Sequence, residues 1–194
     1  MKKLGALFLV LLFTACGGTV KVQSNRDPGF KDPHSRLVLV TRSHEKTETL
    51  FGYIERLTDS TLKARGIVAT IHAENKLALD NSGLGAAVKA ASADGVLMIG
   101  FAGASTINGT LSDMKVVGEF YSVPMAKTVW KSQLDVVPIT VFNMVDERGT
   151  ALRVATAIVD KLFADGIIAS AQDTLPASVA HADSLAIKAS SKAQ

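Results

Sequence analysis

The sequence has one cysteine and one tryptophan among 194 residues, and aromatics make up only 6%. A single cysteine excludes a disulfide scaffold, so any folded domain must be held by its core. No apolar run reaches the roughly 18–20 residues of a spanning helix, which excludes a polytopic helical membrane protein. A strong excess of one charge is missing too: Lys+Arg 21 stand against Asp+Glu 18, a formal +3 with pI ≈ 9.0. The basic residues are interspersed with acids, and few aromatics are available to stack bases, so nucleic acid is not an expected partner. What is present is a 47% hydrophobic fraction, enough for one domain with a real core.

Catalytic and metal-binding patterns are also scarce. His34, His44, His72 and His181 have no His or Cys partner at short range, so no metal site is expected. Gly100 to Gly109 follows an apolar run, but it lacks the Lys and the spacing of a phosphate loop, and Ser105 is not framed as a nucleophile elbow. Gly83 and Gly85 fall short of a dinucleotide fingerprint. Asp146 and Glu147 read as partners of a helix start. Ser43 and His44 are neighbours, but adjacency does not supply hydroxyl-to-imidazole geometry. The expectation is a non-enzyme without a cofactor.

The chain opens MKKLGALFLVLLFTAC, with Lys2 and Lys3 ahead of a short apolar stretch from Leu4 to Phe13. That arrangement matches a secretory signal over residues 1–15. Phe13-Thr14-Ala15-Cys16 resembles the lipobox of bacterial lipoprotein precursors, with Phe13 standing where Leu is usual. The resemblance implies cleavage before Cys16 and acylation of its thiol and amine, giving a chain held in a membrane by two or more acyl groups. Gly17, which is not Asp, implies the outer membrane facing the periplasm. An ordinary signal peptide cut after Ala15, or an internal apolar helix, are the other readings of this stretch. Loss of residues 1–15 removes Lys2 and Lys3 and lowers +3 to +1.

Residues 16–35 (from Gly17, GGTVKVQSNRDPGFKDPHS) read as a tether, and residues 170–194 as an Ala/Ser-rich tail. Between them, residues 36–169 predict a single domain. Arg36–Thr41 and Gly66–His72 read as strands, and Ser43 caps a helix running to about Ala64. A small helix covers Gly83–Ser92, and Val96–Ala102 is the most apolar strand. GASTINGTLSD reads as a loop. Met114–Val123 and Thr128–Phe142 form a hairpin across Pro124–Lys127, with Pro138 bending the second strand. A final helix spans Arg148–Ala164, with Leu152, Ala155, Ile158, Val159, Leu162 and Phe163 on one face.

The fold class is therefore α/β (mixed α+β), ordered β-α-β-α-β-β-β-α, with a mixed sheet of about five strands. Ala93-Asp94-Gly95-Val96-Leu97, Lys127-Thr128-Val129-Trp130 and Ala157–Leu162 resemble segments of small α/β domains in envelope lipoproteins, namely the curli-secretion lipoprotein, penicillin-binding-protein activators and the amino-terminal domain of TolB. That resemblance implies a protein-binding or assembly role in the envelope, with a periplasmic enzyme or a secretion or oligomeric component as alternatives. The last is disfavoured here by the lack of a long pair of alternating strands. Trp130, Tyr121 and Phe120 are the candidates for a partner patch, although aromatics on a sheet more often belong to its packing.

Overall fold

Near-continuous apolar runs and alternating ones divide the labour of the sheet. In the computed structural model, which describes residues 18–73, 82–141 and 144–169, the order is β1 (Thr19–Arg26), β2 (Arg36–Arg42), a 3-10 turn (Glu45–Thr47), α1 (Glu48–Ala64), β3 (Val68–Ile71), α2 (Ser82–Ala90), β4 (Gly95–Ile107), β5 (Thr110–Ser122), β6 (Lys127–Val137), β7 (Thr140–Val141), β8 (Met144–Val145) and α3 (Glu147–Ala164). The main sheet has strand order β1-β6-β5-β4-β2-β3. β3, β2 and β4 run parallel, while β4, β5, β6 and β1 are successively antiparallel.

β2 is covered on both faces, which explains its unbroken apolar run. Leu37 and Leu39 face the large core under α1 and α3, whereas Val38 and Val40 face a smaller one with Val96, Leu84 and Val88. The antiparallel half alternates instead. On β6, Leu134 and Val136 point to the core, and Lys131, Gln133 and Asp135 point to solvent. α1 buries Leu50, Phe51, Ile54 and Leu62, and α3 buries Ala151, Val154, Ile158, Val159 and Leu162. Leu152, expected on the inner face of α3, is exposed.

The mixed α+β class is as expected, but the sheet has six strands, not about five. The additional strand is β1, which lies within the stretch read as a tether. Val20 and Val22 alternate toward the core, and the whole of β1 pairs with β6 from Thr19–Val137 to Arg26–Trp130. Residues 103–113, read as a loop, continue β4 and β5 into a hairpin of two 13-residue strands. Its turn is Asn108-Gly109, with φ of 51° and 80°, the positive values that a tight two-residue hairpin turn requires. β6 ends at Val137, before Pro138, and the small β7–β8 ribbon follows. His44, not Ser43, caps the turn ahead of α1, its Nδ1 accepting from the Lys46 amide. The signal segment 1–15, Cys16 and the tail 170–194 lie outside the described residues.

Candidate functional site

The three aromatics expected as a patch do not form one. Adjacent strand residues point to opposite faces. Accordingly, Phe120 is fully buried in the large core, and Tyr121 lies half-buried against the smaller one. Trp130 sits opposite Phe120 across β5–β6 and is 1% exposed. Its indole Nε1 donates to Asp165 Oδ2 at 2.7 Å. All three are packing residues.

A polar cluster forms around Trp130, at the end of the sheet where α3 finishes. Asp165 Oδ2 also accepts from Ser24 Oγ at 2.6 Å, and its Oδ1 accepts from Lys161 Nζ at 2.7 Å. Burial opposes ionisation of Asp165, but the hydrogen bonds from Lys161, Ser24 and Trp130 outweigh it and hold the carboxyl below its ordinary range. Arg26 donates to the Asp165 carbonyl at 2.6 Å, so β1 is fastened to the end of α3 through both side chain and backbone.

The same end holds an array that sequence reasoning missed. His34 Nε2 lies 2.9 Å from Ser122 Oγ, and its Nδ1 lies 4.0 Å from Asp94 Oδ2. Ser, His and Asp in this order are the parts of a nucleophilic triad. The rest of the geometry serves a structural end. Ser122 has 0% exposure, and the His34 ring stacks on Phe120 at 5.6 Å with Phe30 edge-on at 5.3 Å. Asp94 accepts from the amides of Arg36 and Ser35, pinning the start of β2. Burial pushes the imidazole of His34 down, against the opposing charges of Asp94 and Asp32. No segment of sequence shows this array, because its members come from three distant parts of the chain.

The opposite end is open. The connection after β2 leads through α1 to β3 on one side, and β4 flanks β2 on the other. The carboxyl ends of β2 and β4 therefore form the switch point at which α/β sheets commonly bind ligands. A cavity of ≈ 430 Å³ lies there. His44, Thr47 and Leu50 line one wall, Phe101, Thr106 and Leu111 of the hairpin another, and Val145 and Glu147 the third. Phe101 packs edge-on to Phe51 at 6.3 Å and tilts against His44 at 5.9 Å. The walls are mainly apolar, and His44 Nδ1 is already committed to the turn. The cavity is thus suited to receive apolar surface, with His44, Lys46 and Glu147 as the titratable groups in its lining. Around it, Ile107 at the hairpin tip is 66% exposed and Met144 of the ribbon 69%.

Among the described residues, no three His, Cys, Asp or Glu side chains converge as a metal site, and no helix is long and apolar enough to cross a membrane. No family model matches the chain, and no curated protein matches it in sequence. Solved structures do match in fold. A PelC dodecamer from Paraburkholderia phytofirmans is 15% identical over 74% of this chain and 97% of that chain, with a TM-score of 0.50. A second PelC dodecamer structure from the same organism gives 15% identity over the same shares and a TM-score of 0.49. A DUF330 protein from Xanthomonas campestris is 8% identical over 73% of this chain and 86% of that chain, at a TM-score of 0.33. For the first of these, at 15% identity, the likeness is one of fold.

Proposed function

We propose that the chain is a lipid-anchored envelope protein, held through Cys16 in the outer membrane and facing the periplasm, that works by assembling with further copies of itself and not as an enzyme. The lipobox-like Phe13-Thr14-Ala15-Cys16 supports the anchor, and Gly17 after the cysteine supports the outer membrane. One observation carries the assembly reading. β3 is the last strand of the sheet among the described residues, and Val68 and Ile71 on it are exposed. Among the described residues no strand pairs with the outer edge of β3, and its exposed apolar side chains offer a surface for contact. The dodecamers formed by PelC, whose fold is similar, support self-assembly as the mode. The objection drawn from missing long strands falls away, because β4 and β5 are 13 residues each. The sealed Ser122 supports a non-catalytic role.

The test is the native mass of the acylated protein in mild detergent, with a photo-crosslinking residue placed at position 68 in cells. Several copies per particle and a self-crosslink at 68 are expected, and Val68→Glu should shift the particle toward monomer. A monomer that forms no crosslink at 68 would overturn the reading. Globomycin with labelled palmitate tests the anchor independently: an unmodified, freely soluble chain sinks it.

A further inference from the structure

The distance between the lipidation site and the first strand has a mechanical consequence. Gly18 is fixed: its carbonyl accepts from Arg153, and a Cβ placed on it would lie 2.4 Å from the Val137 carbonyl oxygen. Only Gly17 separates this anchored glycine from Cys16. Two peptide units reach at most about 7 Å when fully extended. β1 starts at the same end of the sheet as the cavity, because Thr19 pairs with Val137, the last residue of β6. Met114 pairs with Val136, so residues 110–113 and their partners on β4 stand beyond the last rung of β6. Four residues of strand amount to about 14 Å. Val20, Val136 and Met114 share a rung, so Gly18 already stands two residues beyond it, and the hairpin tip projects past Gly18 by about the length of the linker, which keeps the tip within reach of the bilayer surface.

The side chains at this end agree with the lengths. Among the described residues, Ile107 at the tip, Val141 and Met144 on the ribbon and Val137 at the end of β6 are exposed large apolar residues at this end. Nearby charges are of mixed sign, Lys46, Lys115 and Arg148 against Glu45, Asp113 and Glu147, so no strong headgroup attraction is built in. We infer that the hairpin end is a membrane-contact surface: with Cys16 acylated, Ile107, Val141 and Met144 rest in the interfacial layer of the same leaflet that holds the lipid. This rests on the lipoprotein reading above and adds to it an orientation, with the end carrying Asp165 and His34 turned away from the membrane. It leaves the β3 edge free for lateral contact between copies.

The test uses the full acylated chain, whose only native cysteine is Cys16. Its thiol is capped in this reading, so Ile107→Cys, Met144→Cys and, at the opposite end, Met125→Cys each supply a unique site for an environment-sensitive fluorophore. The probe membrane is vesicles of phosphatidylethanolamine and phosphatidylglycerol, with and without brominated acyl chains. Labels at 107 and 144 should shift to shorter wavelength and lose most of their emission to the brominated lipid, while the label at 125 keeps its own, and added salt should change little. A Gly/Ser insertion of about ten residues between Gly17 and Gly18 should weaken the quenching at 107 and 144, because it lets the domain leave the surface. Palmitate on the chain with equal, weak quenching at all three sites overturns the orientation alone. Labels at 107 and 144 that are already shielded without vesicles overturn it in favour of contact between copies. A chain that incorporates no palmitate overturns the anchor and the orientation together.

Discussion

At one end of the sheet Asp165 gathers Ser24, Trp130 and Lys161, and His34 bonds Ser122, while at the other end Ile107 and Met144 stand in solvent around an apolar cavity. The first end is tied by polar groups that have left water and found partners. Each such group is costly to orphan. The second end has ties of its own, Arg153 to the Gly18 carbonyl and the Ile139 amide to Thr150, but its hairpin tip is joined to the rest through the β4–β5 ladder, so a change at the tip disturbs little else. The comparison teaches where function has room. An end whose polar groups are tied to one another supports the fold, and an end that leaves apolar surface uncovered is where another body can bind.

Four substitutions would break or sharpen that contrast, in falling order of expected effect. Trp130→Ala at the tied end should cost about 3–5 kcal/mol, through a large cavity and a lost hydrogen bond, read as a lower urea midpoint. Asp165→Ala should cost about 1–3 kcal/mol, because it strips the acceptor from Ser24, Lys161 and the indole at once. A loss no larger than that of a surface change would deny the cluster its role. His34 supplies a smaller, pH-dependent effect. Its folded pKa lies below the ordinary value of 6.5, so the unfolded chain binds more protons in the window beneath that value. Stability should be full above about pH 6.5 and decline as the pH drops below it. His34→Gln should flatten this slope, and a slope that survives would point to another group. The least effect is expected at the open end: Ile107→Asp should leave the unfolding midpoint within about 0.5 kcal/mol of the parent. A large loss there would erase the distinction between the ends.

Much of the fold was legible because its signals are local. Leu50, Phe51, Ile54 and Leu62 repeat at helical spacing, and Val96 to Ile99 form a continuous apolar run, so α1 and β4 could be read directly. The hairpin tip was legible as well but was read as a loop: Asn108-Gly109 is the strongest short turn signal in the chain. The alternation Val20–Val22 was a fainter sign of β1, outweighed by the Gly, Pro and Asp residues that follow it. Even the failure of the aromatic patch was visible, since Phe120 and Tyr121 are neighbours and must face opposite ways on a strand. The Ser122–His34–Asp94 array was not legible, because His34 and Ser122 stand 88 residues apart.

The sequence by itself determined the mixed class, the main helices and strands, and the placing of Cys16 in a lipobox-like setting, since each of these depends on the order of side chains within one short stretch. The tertiary structure alone decided that residues 19–26 join the sheet, that Trp130 and Phe120 turn inward, and that one end is tied while the other stays open. Those outcomes depend on which edges meet. β1 becomes a strand only because β6 offers it a ladder, and the same pairing shortens the path from Cys16 to the domain to two peptide units.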